Sequence, residues 1–189
     1  MKTPPGAQNE PVGRHAAPGG FFMLKSDQRE SVEWWLDLQQ KLDRGQGYFK
    51  LRMYDDAACH LEDALRLCPE LHAARLLLAA ACLRLSDWIG ARRHFQLIAV
   101  LADNPKWQAA AYNGLGCVQA AQSQLEQAKS CFRRALEADP SCADAVHNLQ
   151  ACLVARGRIR LRFGSGEVEA AVPPDAAGAG RESSGKGAR

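Results

Sequence analysis

EQAKSCFRRALEADP, residues 126–140, restates YDDAACHLEDALRLCP, residues 54–69, without a slip in register. Ala128 falls on Ala57, Ala135 on Ala64, Leu136 on Leu65 and Pro140 on Pro69. A blurrier third copy, DWIGARRHFQLIAVLADNP, occupies residues 87–105. Recurrence at a spacing of a few tens of residues marks a repeat architecture, in which one supersecondary unit buries its apolar face against the next.

The units are helical. From residue 26 onward apolar residues recur at helical spacing, with Trp34, Trp35, Leu38 and Leu42 followed by Tyr48, Phe49 and Leu51. Asp27 and Glu30 have the spacing of a capping box and predict the start of the first helix. Helical character continues to about Val154, with breakers around Met53, Pro69, Asp87, Pro105, Ser123 and Pro140. Small residues stand where helices cross closely and large ones fill the space beside them. The pattern predicts seven helices stacked as pairs, with no alternating strand before residue 156.

The run Tyr112-x-x-Leu115-Gly116, then Ala128-x-x-x-Phe132-x-x-Ala135, then Pro140, resembles the tetratricopeptide repeat, a 34-residue helix-turn-helix unit. The unit at 109–142 departs from the pattern in Gln119. The unit at 38–71 supplies Gly45, Tyr48, Tyr54, Ala57, Leu61, Ala64 and Pro69, and the weakest, 72–108, supplies Leu78, Ala79, Trp88, Ala91 and Phe95, with Ile98 at a small-residue position. Starts at 38, 72 and 109 place three additional residues near Asp103-Asn104-Pro105. The resemblance implies an all-α, right-handed helical solenoid over residues 26–155, closed by a cap helix at 143–155.

Flanking segments read differently. Residues 1–25 and 173–189 are rich in Pro, Gly, Ala and Ser and are expected to be disordered. In 156–172, Arg156, Arg158, Arg160 and Arg162 alternate with Gly157, Ile159, Leu161 and Phe163, then Gly164-Ser165-Gly166 leads into Glu167-Val168-Glu169. Period two with a glycine turn predicts a small hairpin whose acids meet the arginines and which leans on the stack. The competing reading is a basic arm for anionic lipid or nucleic acid.

The net charge of +3 gives little support to a nucleic-acid partner. Residues 26–155 carry 14 bases and 16 acids, so the basic excess sits in the flanks. A membrane or nucleic acid is therefore expected only through Arg156, Arg158, Arg160 and Arg162. No apolar run approaches the roughly 20 residues that span a bilayer, and no apolar signal segment is visible. Seven cysteines, an odd number without a C-x-x-C pair, fit reduced thiols in a cytoplasmic protein. Cys59 with His60 and Cys68 with His72 lack the paired spacing of a structural zinc site, so no metal or cofactor is expected. No nucleophile elbow or phosphate loop is present, and Gly114 and Gly116 fall inside a helix rather than after a strand. An enzyme is not expected.

Within the resembling family the first helices of successive units line a concave groove that takes peptides of other proteins. The corresponding positions are Leu42, Gln46, Phe49 and Lys50; Leu76, Ala80, Leu83 and Arg84; Asn113, Cys117, Ala120 and Ala121; and His147, Ala151 and Val154 of the cap helix. The Lys, Asn and Arg clamp with which some relatives hold a terminal carboxylate is absent, because its positions carry Leu42, Gln46, Leu77, Ala110 and Gly114. The resemblance implies a protein-interaction scaffold or adaptor that takes an apolar or helical segment. The alternative is a secretion-type chaperone for one apolar effector, suggested by Phe95-Gln96 and Gly114-Leu115-Gly116. Trp34 and Trp35 either fold back onto the first helix pair or anchor a partner or a second copy.

Overall fold

The computed structural model describes residues 26–154, 157–164 and 166–171, with side chains from residue 31. The expected leader and most of the tail, the Asp27 and Glu30 capping box, and Arg156 lie outside the described residues or side chains. Among the described residues seven helices follow one another: α1 Ser26–Lys50, α2 Tyr54–Leu67, α3 His72–Arg84, α4 Trp88–Leu101, α5 Pro105–Ala121, α6 Leu125–Ala138 and α7 Ala143–Leu153. Consecutive helices pack on each other, and α1, α3, α5 and α7 also touch in series along one side. The result is an all-α solenoid with an inner wall built from the odd-numbered helices.

Register explains the packing. Ala57, Ala91 and Ala128 are fully buried, as are Ala64, Ile98 and Ala135, each set standing at one position of successive units. A Cβ built on Gly45 would lie 2.7 Å from Leu61, and one built on Gly116 would lie 2.3 Å from the Phe132 ring. Glycine at these two positions lets the large side chain of the second helix lie directly on the backbone of the first. In the middle unit the corresponding positions carry Ala79 and Phe95, both fully buried, and the Phe95 ring lies against Gly114 of α5, where a Cβ would stand 2.4 Å from it. Ile98, at a position usually small, fills a pocket with Ala102 and Ala111, against which Trp107 packs.

The turns within the pairs are equally repetitive. Arg52, Ser86 and Ser123 all adopt positive φ, between 62° and 63°. Beyond α1, Arg52 N–H donates to Phe49 and Met53 N–H to Tyr48, and the same two bonds recur as Ser86 to Leu83 with Asp87 to Cys82, and as Ser123 to Ala120 with Gln124 to Gln119. This is the Schellman closure, in which a left-handed residue turns the chain so that the last carbonyls find donors. None of the three is the glycine that such positions favour.

The three additional residues do not form a longer loop. Asn104 caps α5 by accepting from Lys106 N–H at 2.9 Å, Pro105 takes the first turn, and α5 runs 17 residues where α3 runs 13. Proline lacks a donor that the first turn would leave unused, so the insertion becomes an added helical turn carrying Trp107.

After α7 the chain forms an antiparallel hairpin, β1 Arg158–Phe163 and β2 Gly166–Ala171, with Phe163 opposite Gly166. Gly164 supplies the left-handed turn residue at φ 58°. Ile159, Leu161, Phe163, Val168 and Ala170 point inward and are buried, whereas Arg158, Arg160, Arg162, Glu167 and Glu169 are exposed. Arg160 stands 3.9 Å from Glu169 across the ladder, an open pair worth little in water. The hairpin does lean on the stack, joining the main apolar cluster along with Phe95, Cys117 and Cys152.

Candidate peptide-binding groove

The inner wall is a groove by construction, and the hairpin fills one end of it. Asn148 on α7 is fully buried, donating its amide to the Arg162 carbonyl at 2.7 Å and accepting from the Arg162 N–H at 2.6 Å. The same amide nitrogen lies 2.8 Å from Asn113 Oδ1, and Asn113 donates in turn to the Arg162 carbonyl at 3.2 Å. A side-chain amide presents one donor and one acceptor side by side, the complement of one residue's outward backbone pair. Asp144 accepts from Gly164 N–H at 3.0 Å, and Arg84 donates to the Phe163 and Glu167 carbonyls. Phe163 meets Phe95 edge to face at 5.1 Å. Burial beneath this layer pushes the Cys117 thiol far up, out of its ordinary range.

The other end remains open. Between α1, α3 and the tip of the hairpin lies a cleft of about 400 Å³ lined by Gln46, Phe49, Lys50, Ala73, Leu76, Leu77, Ala80, Trp107, Phe163 and Gly164. Its walls are mainly carbon: Phe49 from the end of α1, the leucines and alanines of α3, Trp107 from the added turn and Phe163 from the hairpin. A second cavity, about 380 Å³, adjoins Phe49 and Lys50 and is lined further by Arg52, Tyr54, Arg84, Gly166 and Glu167. A shallow recess of about 620 Å³ lies between α7 and the outer side of the hairpin, touching His147, Gln150, Ala151, Val154 and the three described arginines.

The expected groove residues thus separate into groups. Gln46, Phe49, Lys50, Leu76 and Ala80 come together on the open cleft. Leu42 is half-buried against the core. Asn113 and Cys117 lie beneath the hairpin, and Leu83 and Ala120 belong to the apolar cluster it completes, so these four offer nothing to a partner while the hairpin is in place. Ala121 packs on the same cluster, Arg84 holds the hairpin tip, and His147, Ala151 and Val154 line the outer recess. Sequence reasoning missed Trp107, Leu77, Ala73, Phe163 and the backbone-reading Asn148. The inward-facing Ile159, Leu161 and Phe163 were the signal for a docked hairpin.

Trp34 and Trp35 stand 42% and 56% exposed on the overhang of α1, beside exposed Val32 and Leu36. Both stand within α1 itself, one continuous helix from Ser26 to Lys50, rather than on a separate segment folded back over the first helix pair. Among the described residues no group of three His, Cys, Asp or Glu could hold a metal, and no helix is long and apolar enough to cross a membrane.

The tetratricopeptide repeat profile matches residues 109–142. Among solved structures, the first tetratricopeptide domain of Spaghetti (RPAP3), bound to the HSP90 peptide SRMEEVD, superposes with a TM-score of 0.55 and 25% identity, over 62% of this chain and 90% of that one. The first tetratricopeptide domain of human RPAP3, determined by NMR, gives a TM-score of 0.55 and 25% identity over 61% of this chain and 88% of that one. No curated protein matches the sequence. Three registered helix pairs, the Gly116–Phe132 crossing and these likenesses lead to one conclusion: residues 109–142 match the tetratricopeptide repeat, and the described helical stack has the fold of a tetratricopeptide domain.

Proposed function

We propose that the protein is a non-enzymatic interaction scaffold whose groove, narrowed by its own hairpin, takes an apolar segment of another protein between α1 and α3. The observation that carries this reading is the open cleft walled by Phe49, Leu76, Leu77, Trp107 and Phe163. Desolvating apolar side chains against such walls is the usual source of affinity in a groove. The RPAP3 domain holds a peptide of HSP90, which supports a peptide as the kind of ligand. The cleft here is apolar at Leu77, one of the positions of the resembling family's terminal-carboxylate clamp, so a different peptide chemistry is proposed.

Affinity capture followed by mass spectrometry tests the reading when the wild type is compared with a Gln46→Glu, Ala73→Glu double variant. Both residues line the cleft and are exposed, so the fold should survive while the partner must desolvate two new charges. Loss of the partner with an unchanged melting temperature supports the proposal, and undiminished capture refutes it.

A further inference from the structure

The apolar cleft does not end at Phe49. Phe49 and Lys50 line both it and the neighbouring cavity, and the Phe49 ring stands edge-on to Tyr54 at 5.4 Å as the partition between them. Beyond that partition the lining changes character. Lys50 comes from the last turn of α1, Arg52 from the turn that follows, and Arg84 from the end of α3.

Cations at helix ends are ordinary, because they complement the helix dipole, so Lys50 and Arg84 alone would mean little. Their convergence with Arg52 is different. Among the described residues none of the three forms an ion pair, although Glu167 lies on the same lining. Arg84 spends its donors on the neutral carbonyls of Phe163 and Glu167, which orients the guanidinium and leaves its charge uncompensated. The hairpin is shaped to permit this: a Cβ on Gly166 would lie 2.0 Å from Arg84 Nη2. A cavity with three cations from three places, one of them held from behind, is organised for an anion.

From these juxtaposed cavities we infer that the bound segment carries an Asp or Glu side chain directly beside its apolar anchor, with the anchor between Leu77 and Trp107 and the carboxylate among Lys50, Arg52 and Arg84. The inference rests on the proposed function above and adds the chemistry of the ligand. Adjacent residues of an extended peptide point to opposite sides, so one peptide lying across Lys50 reaches both cavities.

The test uses the full-length ¹⁵N-labelled protein titrated with the amide-terminated dipeptide N-acetyl-Leu-Glu, with N-acetyl-Leu-Gln and N-acetyl-Leu-phosphoserine as comparisons. The expected result is that Leu-Glu shifts the amides of Leu77 and Ala80 together with those of Lys50 and Arg52. It should bind about tenfold tighter than Leu-Gln, a gain of the size a charge-assisted contact supplies. In the Lys50→Gln, Arg52→Gln variant, which leaves Arg84 holding the hairpin, the two affinities should converge. Equal affinity of Leu-Glu and Leu-Gln for the wild type, with Leu77 still shifting, overturns the inference and leaves the proposed function standing. Absence of any shift at Leu77 and Ala80 with all three overturns both. Binding of the phosphoserine peptide alone, or shifts confined to Arg158 and Arg160, also overturns it, since the site would then be a phosphate site or a general basic surface.

Discussion

Asn148 and Arg162 are joined by two hydrogen bonds, one from the side-chain amide to the carbonyl and one from the backbone N–H to the amide oxygen. An isolated two-stranded hairpin is marginal in water, and this pair, with five buried apolar residues, makes it part of the fold. Asn148→Ala leaves the outward backbone groups of Arg162 without their main partner, at a cost of about 1–3 kcal/mol. Chemical denaturation should show that loss, and the Cys117 thiol, now covered by the hairpin, should react faster with a thiol reagent. Unchanged Cys117 reactivity would mean that the apolar contacts alone hold the hairpin.

The close crossing at Ala128 gives a second expectation. Ala128→Leu should destabilise by about 1–3 kcal/mol through overpacking, because the side chain is fully buried at a helix crossing. Ser130→Leu, on the exposed side of the same helix, should leave the midpoint nearly unchanged. Equal effects in thermal unfolding would place the repeat register elsewhere.

Two glycines of similar sequence setting should respond in opposite directions. Gly47 has open space where a Cβ would go, whereas Gly116 has the Phe132 ring at 2.3 Å. Gly47→Ala should therefore stabilise α1 by roughly 0.5–1 kcal/mol, and Gly116→Ala should destabilise, since the Phe132 ring is fully buried and must move to admit the methyl group. Denaturant midpoints read both.

Alkaline stability follows from buried thiols. Burial raises Cys82 from 9.0 to about 11, and Cys152 likewise. A raised folded value means that the unfolded chain loses these protons first, so their contribution is complete below pH 9 and declines as pH rises through 9 to 11. The slope of stability against pH in that window should flatten in a Cys152→Ala variant when compared with its own midpoint at pH 7, and an unaltered slope would assign the alkaline loss to other groups.

Much of this architecture is legible in the residues, for physical reasons. Helix pairs repeat their steric solutions, so Ala57 and Ala128, or Leu61 and Phe132, announce the fold by recurrence alone. Seven helices and their breakers follow from that register. The spacing of the units places the insertion near Pro105 but does not give its form, because Pro105 and Asn104 fit a helix start as well as a loop. The site is less legible. The alternation of Ile159, Leu161 and Phe163 shows a strand with one apolar face, yet which wall it covers depends on contacts from Asn148 and Asn113, far apart in sequence and unremarkable within their helices. Trp107 becomes a wall of the cleft only through the added turn. The overhang carrying Trp34 and Trp35 shows the same limit, since helical spacing alone does not say whether a face is covered.

Photocrosslinking measures the central claim most directly. A photoreactive phenylalanine analogue placed at Ala73, on the lip of the open cleft, is compared with one at exposed Val154 on the outer recess and one at exposed Trp35, each with the same purified partner. Crosslinking from position 73, and not from 154 or 35, is the predicted result. Crosslinking from 154 or 35 with none from 73 would contradict it, and would move the binding surface to the hairpin's outer side or to the overhang of α1.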